Sequence, residues 1–367
     1  MHFKADTAAL VKALSIASKG IPGRTRTLDV LMGIMIVAEK GQVFLRTTDL
    51  EVYCSIPVTD AEVNTEGRIL VSGADFTQLV KSGTGSLTIS RIGKPKGQRL
   101  VIESSAATQK LTAMDEAEFP VFPKESPKVV LEFTKEFADV IPMLVASAAT
   151  DVSRPMLTGA HIAWKGSAIT MDSSDGFRLT RWTTTSTTES EGEGGVIIPR
   201  KTLTMLPLIF GDKLTMSVNE AGGRVYFTGS GGTIASLTID QKFPQVDAII
   251  PKESKTMVSV SGSDAYEAWR RAGATSEMLL TVLDTESGTV TAKSNRSETE
   301  AKLPMKVEGD HIGIAVNSEY MVGALASLKD VSVTIGLNMP KNPLVLRSEE
   351  WPGLIHVIMP MHMPKRE

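Results

Sequence analysis

Hydrophobic positions along this chain recur three times in the same order, and each recurrence begins with a short alternating segment that runs into a helical pattern. Residues 3–19, 129–149 and 257–277 start as strands and continue with apolar side chains at helical spacing. Leu10, Leu14 and Ala17 mark the apolar face in the first of these segments. The spacing predicts one amphipathic helix near the start of each third of the chain.

Short apolar runs follow each of these helices, and polar turns that contain glycine separate the runs. They lie at residues 33–45, 160–171 and 279–292. Alternation of apolar and polar residues between such turns is typical of antiparallel hairpins. The sequence therefore predicts a hairpin at the same place in each third.

A second helix follows a strand in every third, at residues 74–82, 199–210 and 317–329. Asn317 or Ser318 is placed to cap the last of these helices, because a short polar side chain accepts hydrogen bonds from the free N–H groups of the first turn. The residues spaced to form its apolar face are Tyr320, Met321, Ala324, Leu325 and Leu328.

The repetition predicts an α+β fold with three tandem copies of one domain, each with two helices packed on antiparallel sheet. We expect the copies to occupy residues 1–125, 126–252 and 253–367. A tandem of equal domains has pseudo-rotational symmetry, which favours a curved or closed assembly.

Composition narrows the class of protein. The hydrophobic fraction of 42% and the charged fraction of 22% are typical of a folded soluble protein. We expect a cytoplasmic location and no membrane partner, since no apolar segment is long enough to cross a bilayer and Cys54 is the single cysteine. The net charge of −3 argues against binding nucleic acid by bulk attraction, so any such function must depend on local charge or on topology.

The pattern contains no recognisable catalytic or cofactor-binding motif. The five histidines are scattered, and neither a GxSxG nor a GxxxxGK[ST] segment occurs. We therefore expect no enzymatic activity, no metal and no cofactor, and an enzyme with an unrecognised site is the weakest alternative. Residues 183–195, rich in Thr, Ser, Glu and Gly, predict a solvated loop.

Short motifs spread over the whole chain match one family in their order and spacing. They are Arg-Thr-Arg-Thr-Leu at 24–28, Thr-Thr-Asp-Leu-Glu at 47–51, Arg-Pro-Met-Leu-Thr-Gly at 154–159, Ser-Asp-Gly-Phe-Arg-Leu at 174–179, Ile-Pro-Arg-Lys at 198–201, Phe-Pro at 243–244, Ile-Pro at 250–251 and Val-Ile-Met-Pro-Met at 357–361. With these motifs and the threefold repeat, the chain resembles the bacterial DNA polymerase III β subunits, the sliding clamps.

The resemblance implies a homodimer closed head to tail into a ring, with sheets outside and helices around a hole for duplex DNA. A ring holds DNA by topology, so weak, salt-sensitive and sequence-independent contacts are sufficient. Positions at or near the family's DNA contacts, or on helices expected to face the hole, are Arg24, Arg26, Lys81, Arg154, Arg200 and Lys201. The implied function is that of a processivity factor.

The resemblance also implies a pocket for short hydrophobic motifs of a replicative polymerase, a clamp loader and other replication or repair proteins. The matching positions are Leu157, Ser174, Gly176, Phe177, Arg178, Leu179, Pro244, Ala248, Ile249, Val357, Ile358, Met359, Pro360 and Met361. An apolar groove with flexible methionines accepts varied hydrophobic anchors. Core packing is the alternative interpretation for the aliphatic members.

Several positions depart from the family pattern. Phe177 stands where His is common, Ala248 where Arg is common, and residues 362–367 form a short extension. At the implied dimer interface, formed by Leu111, Ala274 and Thr275, the neighbouring residues are polar. A diverged adaptor that keeps the peptide pocket but does not encircle DNA is therefore the second hypothesis.

Overall fold

The computed structural model describes residues 1–23, 28–93, 97–188, 192–219, 223–276 and 278–362. The chain divides into two compact units. The first unit comprises Met1–Ala138 with Thr204–Thr238, and the second comprises Asp139–Leu203 with Ile239–Glu367. None of the described helices is both long enough and apolar enough to cross a membrane.

The first third of the chain carries nine strands and two α-helices among its described residues. The strands are β1 (His2–Asp6), β2 (Gly33–Glu39), β3 (Gln42–Thr48), β4 (Val52–Val58), β5 (Glu62–Thr65), β6 (Gly67–Ser72), β7 (Ser86–Ile92), β8 (Arg99–Glu103) and β9 (Thr108–Thr112). The helices are α1 (Thr7–Ala17) and α2 (Gly73–Ser82), which pack against each other.

The second third repeats this order with one strand fewer between its helices, among the described residues. Its strands are β10 (Pro127–Phe133), β11 (Gly159–Lys165), β12 (Ala168–Ser174), β13 (Arg178–Thr185), β14 (Glu193–Pro199), β15 (Leu214–Asn219), β16 (Arg224–Gly229) and β17 (Gly232–Leu237). Its helices are α3 (Glu136–Ser147) and α4 (Arg200–Ile209).

The last third repeats the order once more. Its strands are β18 (Thr256–Ser261), β19 (Leu280–Asp284), β20 (Thr289–Lys293), β21 (Glu298–Lys302), β22 (Met305–Glu308), β23 (Gly313–Asn317), β24 (Ser332–Leu337), β25 (Leu344–Arg347) and β26 (Leu354–Ile358). Its helices are α5 (Gly262–Gly273) and α6 (Ser318–Leu325), which pack against each other. The three thirds confirm the predicted α+β repeat.

Each helix of the first and last thirds begins at a polar side chain that caps its free N–H groups. Asp6 accepts from Ala8 N at 2.7 Å, and Ser72 and Ser261 accept from the third residue beyond them. Asn317, one of the two predicted caps of the last helix, accepts from Glu319 N at 2.9 Å and from Tyr320 N at 3.3 Å.

Two sheets belong to the first unit and two to the second. Sheet 1 has the order β5-β1-β7-β8-β9, and sheet 2 has the order β10-β15-β16-β17-β4-β3-β2-β6. Sheet 3 has the order β14-β11-β12-β13-β26-β25-β24-β18-β22, and sheet 4 has the order β21-β20-β19-β23. Helix α1 contacts strands of sheets 1 and 2, and α5 contacts strands of sheets 3 and 4.

Sheets 2 and 3 each combine strands from two neighbouring thirds. In sheet 2, β17 pairs antiparallel with β4, and in sheet 3, β26 pairs antiparallel with β13. The expected domain boundaries at residues 126 and 253 stay predictions of the sequence repeat. In the structure, hydrogen-bonded strands join each copy to the next.

The prediction of a solvated loop over residues 183–195 is wrong at both ends. Strand β13 continues to Thr185 and β14 already begins at Glu193. Gly194 and Gly195 pair with β11 as part of β14. These positions are glycine because a larger residue does not fit: a Cβ on Gly194 would lie 2.6 Å from the Trp164 ring, and one on Gly195 would lie 2.5 Å from His161 Nε2. Glycine in a strand here marks close packing rather than a turn.

Candidate functional site

A tight turn between β12 and β13 forms the centre of the predicted peptide pocket. Asp175 Oδ1 accepts hydrogen bonds from Phe177 N at 2.9 Å and from Arg178 N at 3.0 Å. The Ser174 hydroxyl accepts from Gly176 N at 3.0 Å and donates to Arg178 O at 2.7 Å. Gly176 has φ +95°, a conformation that glycine adopts without strain. These bonds hold Phe177 outward, with 58% of its surface exposed.

The same turn occurs in the other two copies. Asp49 Oδ1 accepts from Glu51 N at 3.1 Å and from Val52 N at 2.7 Å, and Ser294 Oγ accepts from the N–H groups two and three residues later. The turn is therefore a property of the repeat and not of the site. Phe177 is what distinguishes the second copy, because the first copy has Glu51 at this position.

Apolar side chains from three segments meet beside this turn. Leu157, Leu179 and Val357 belong to one buried cluster. Pairing of β13 with β26 places Arg178 opposite Ile358 and Leu179 opposite Val357.

The segment that follows β26 stays beside the turn. Met359 N donates to Phe177 O at 2.8 Å, and Met361 N donates to Ala315 O at 2.7 Å. Leu157, Leu179, Val357 and Ile358 are buried, as the alternative interpretation of core packing requires. The apolar side chains open to a ligand are those of Phe177 and Met359, which are 58% and 37% exposed.

The segment that contains Pro244, Ala248 and Ile249 is anchored to strands β11 and β13 of sheet 3. Phe243 stacks on His161 with the ring centroids 5.2 Å apart. Arg181 donates to both carboxylate oxygens of Asp172 at 2.7 and 2.8 Å and to Asp247 at 2.5 Å. The hydrogen bond to Asp172, and to a smaller extent that to Asp247, raises the pKa of the Arg181 guanidinium against the opposing effect of burial. Pro244, Ala248 and Ile249 are exposed on this anchored segment.

Tyr320 is a residue of the site that sequence reasoning assigned to the helix core. The Arg178 guanidinium carbon lies 4.4 Å from the centroid of its ring, and both residues border a small recess with Leu179, Val357 and Ile358. Burial, and then the nearby Asp175 carboxylate, raise the pKa of the Tyr320 hydroxyl. Its helical spacing gave no sign of this contact, because Arg178 comes from a distant strand.

Below the apolar surface lies a chain of buried polar groups. The Ser147 and Thr180 hydroxyls are 2.6 Å apart, and the Thr180 hydroxyl lies 2.8 Å from Nδ1 of His356. Nε2 of His356 is buried and has no hydrogen-bond partner in the described part of the chain. Burial, with a smaller effect of Arg178, lowers the pKa of His356 to about 4, so its imidazole is neutral at pH 7.

Of the predicted DNA contacts, two lie outside the described residues, three lie on helices, and Arg154 lies elsewhere. Arg24 and Arg26 lie outside the described residues. Lys81 is exposed in the last turn of α2, and Arg200 and Lys201 begin α4, with Lys201 exposed.

Arg154, predicted with the DNA contacts, lies against the turn between β12 and β13. Its Nη2 donates to Asp175 O at 3.0 Å, and a Cβ on Gly176 would lie 2.7 Å from its Nη1. The exposed guanidinium therefore covers the outer side of the turn that carries Phe177.

The residues predicted at the dimer interface lie in or beside the edge strands of two sheets. Leu111 is in β9, the last strand of sheet 1. Ala274 ends α5, and the hydroxyl of Thr275 is hydrogen-bonded to that of Thr299 in β21, the last strand of sheet 4. Among the described residues, no group of three or more His, Cys, Asp or Glu side chains is placed to hold a metal ion.

Sequence profiles of one family match almost the whole chain. They are the DNA polymerase III beta subunit N-terminal domain over residues 1–123, the central domain over 133–245 and the C-terminal domain over 247–362. The chain is 24% identical to the beta sliding clamp of Streptomyces coelicolor, over 94% of this chain and 93% of that protein. It is also 24% identical to the beta sliding clamp of Bacillus subtilis, over 98% and 99%.

Solved structures show the same fold. The DNA polymerase sliding clamp of Bacillus subtilis superposes with a TM-score of 0.88 at 21% identity and covers 99% of this chain and 100% of its own. A sliding clamp from Pseudomonas aeruginosa bound to griselimycin superposes with a TM-score of 0.89 at 22% identity and the same coverage.

Proposed function

The chain belongs to the DNA polymerase III beta subunit family and functions as a DNA sliding clamp; we propose that two copies close head to tail into a ring around duplex DNA. In this proposal the chain is a processivity factor without catalytic activity, and it tethers a replicative polymerase, a clamp loader and other replication or repair proteins. The observation that supports the ring most directly is that strands pair in the same way at both junctions between copies.

The two junctions within the chain follow one rule. Strand β17 of the second copy pairs antiparallel with β4 of the first, with Thr233 opposite Ser55. Strand β26 of the third copy pairs antiparallel with β13 of the second, with Arg178 opposite Ile358. By position in the repeat, β17 and β26 correspond to β9, and β4 and β13 correspond to β21. The rule thus predicts a third pairing, between β9 and β21.

The edges left over by this rule are complementary. Strands β9 and β21 are terminal strands of their sheets, so their outer main-chain groups are available for pairing with another chain. Strand β9 carries Lys110, whereas β21 carries Glu298, Glu300 and Lys302, so the two strands have net charges of opposite sign. Contact between β9 of one copy and β21 of another is heterologous, and two such contacts close a ring. Leu111 and Thr275, which contacts β21, would lie at this junction.

DNA binding by such a ring needs only local positive charge. The net charge of −3 makes bulk attraction weak, whereas an enclosed duplex is retained until an interface opens. Lys81, Arg200 and Lys201 on helices, with Arg24 and Arg26, are the proposed contacts to the phosphate backbone. Contacts of this kind are independent of sequence and permit sliding.

The surface around Phe177 is the proposed binding site for partner peptides. Phe177 and Met359 expose apolar side chains above a buried cluster, methionine adapts to varied partners, and the hydrogen bonds of Asp175 fix the turn that carries Phe177. This combination suits a short segment that buries hydrophobic side chains.

Retention on circular DNA tests the ring directly. Loaded protein should stay on a closed circular plasmid and leave it when the plasmid is linearised, because a ring slides off free ends. A Leu111→Lys variant, which places a charge at the proposed junction, serves as the monomeric control. Equal loss from circular and linear DNA contradicts the ring. A monomeric wild-type chain that still binds a hydrophobic peptide instead supports the adaptor hypothesis.

A further inference from the structure

In the first copy, the segment that follows β9 turns across one face of sheet 2. Met114 N donates to Leu70 O of the edge strand β6 at 2.8 Å, and this bond fixes where the segment starts. Phe119 then packs against the buried cluster that contains Met35. The segment therefore covers the face of the sheet that carries Met35.

In the second copy, the segment that follows β17 crosses sheet 3 in the same way. Ile239 N donates to Ile197 O of the edge strand β14 at 3.0 Å. Phe243 then stacks on His161, with the ring centroids 5.2 Å apart. In both copies an aromatic side chain thus covers one position of the strand next to the edge.

In the third copy, the same bond starts the segment that follows β26. Met361 N donates to Ala315 O of the edge strand β23 at 2.7 Å. Ala315 pairs with Val282, as the corresponding acceptors pair with Met35 and His161. Val282 therefore has the position that the segment covers in the other copies, but the described chain continues only to residue 362.

The surface around Val282 has room for such a cover. Val282 pairs with Thr291, and Thr291 pairs with Glu300, so the three side chains form a row across one face of sheet 4. Leu280 lies on the same face. Leu280, Val282 and Thr291 are half-buried, and Glu300 is exposed. We call these four residues the Val282 face.

An ion pair fastens the segment of the second copy, and the third copy has the opposite charges for such a pair. Arg181 donates to Asp247 of the segment at 2.5 Å. By strand pairing, Arg181 has the position of Glu300, which forms no ion pair with the described residues. The sequence after residue 362 contains Lys365 and Arg366. A basic side chain of this segment would therefore pair with an acidic strand residue.

The remaining chain is long enough to cross this face. Neighbouring strands lie about 4.8 Å apart, so β21 is about 14 Å from β23 across the sheet. An extended chain advances about 3.3 Å per residue, so the chain from Met361 to Arg366 spans up to roughly 17 Å. Arg366 can therefore reach Glu300.

We propose that the C-terminal segment, residues 363–367, docks on the Val282 face of its own chain, with Met363 against Val282 and Arg366 paired with Glu300. A methionine suits this surface because its flexible side chain adapts to an irregular apolar contact. The ion pair repeats that of the second copy with the charges exchanged. Docking would also restrain Met361, from which the segment continues.

Disulfide formation within the full chain tests this docking. Lys365→Cys combined with Thr291→Cys should give an intramolecular disulfide, identified by mass spectrometry of the digested protein. Lys365→Cys combined with Phe177→Cys is the control, because Met359 N donates to Phe177 O and a free segment would reach that position as well. The native Cys54 is buried and stays in place. Equal yields of the two disulfides, or a higher yield at position 177, would overturn the proposal.

Exchange of charges tests the ion pair. In the chain with Lys365→Cys and Thr291→Cys, Glu300→Lys should slow disulfide formation about threefold, as expected for an exposed pair. Adding Arg366→Glu should restore the rate. Glu308→Lys, at an exposed glutamate of sheet 3, should leave the rate unchanged. A rate that Glu300→Lys does not change, or that Arg366→Glu does not restore, contradicts the proposed arrangement.

A mixture of two chains shows whether the segment docks on its own chain. One chain carries only Lys365→Cys and the other only Thr291→Cys. The mixture should give little covalent dimer while the doubly substituted chain closes its internal disulfide. A covalent dimer that forms as fast as the internal disulfide would place the segment on a second copy and overturn docking within the chain.

Discussion

The Thr180 hydroxyl lies 2.8 Å from Nδ1 of His356, in the wall that β13 and β26 form together. The contact fixes the imidazole of His356 within the core, where its surface is only 3% exposed. A buried neutral histidine makes the stability of the fold depend on pH.

Acid should therefore destabilise the protein. The pKa of His356 is lowered from 6.5 to about 4 by burial, so between these values the unfolded chain binds a proton and the folded chain does not. The contribution is complete above pH 6.5 and is lost as pH falls towards 4, by up to about 3 kcal/mol. Urea unfolding at pH 7 and pH 4.5 measures it.

His356→Asn, which retains a hydrogen-bonding atom near Thr180, should flatten this pH dependence. Some dependence should remain, because burial also lowers the pKa of His161. An identical slope in the wild type and the variant would show that His356 titrates normally in the folded chain.

Met361 should contribute to peptide binding without supporting the fold. It is held beside β23 by its backbone bond to Ala315, and its side chain is partly exposed. We expect Met361→Ala to weaken binding of a short hydrophobic peptide about tenfold, since the lost apolar contact is worth about 1.5 kcal/mol. Fluorescence anisotropy measures the affinity. Met278→Ala, at a methionine that is 76% exposed, is the control, and equal affinities of both variants would remove Met361 from the site.

Arg154 and Lys81 should separate the two binding activities. Arg154→Ala removes the bond to Asp175 O and should weaken peptide binding several-fold. Lys81→Ala should leave peptide binding unchanged and reduce the salt dependence of DNA binding, by about one unit in the slope of log K against log salt. If the Arg154 variant lost DNA binding but kept its peptide affinity, Arg154 would be a DNA contact and not part of the peptide site.

Exchange of charges should test the proposed junction of β9 with β21. At the proposed junction Lys110→Glu would bring a like charge close to Glu298 and Glu300, and it should weaken the dimer about fivefold. A chain with Glu298→Lys and Glu300→Lys should pair with the Lys110→Glu chain and recover a tight contact at that junction. Sedimentation of each chain alone and of the mixture measures this, and unchanged dimers throughout would exclude these edges as the interface.

The sequence predicted the helices and strands because the spacing of apolar residues shows which face of each helix or strand is buried. Leu10 and Leu14 are fully buried as the helical spacing required, and the cap at Asn317 follows from its side chain alone. Pairing of β4 with β17 was not predictable in this way, since contacts between residues so far apart leave no local pattern. The glycines of β14 were misinterpreted for the same reason: Trp164, which requires them, lies on another strand.

The site was predicted only as far as motifs matched the family. Those motifs identified the turn at Asp175 and the segment after β26, which the fold brings together. They did not identify Tyr320, whose contact with Arg178 depends on a helix docking against a distant strand. They placed Arg154 with the DNA contacts, which stays a prediction; the structure adds that Arg154 lies beside the turn that carries Phe177.

Two sheets contain strands from neighbouring copies, and this determines whether a single copy cut out of the chain could fold alone. A chain cut at residue 126 would leave the main-chain N–H and C=O groups of β4 without the β17 strand that pairs with them. An unpaired edge strand of this kind is a template for aggregation or strand exchange. Cooperative unfolding should therefore follow the shared sheets and take neighbouring copies together.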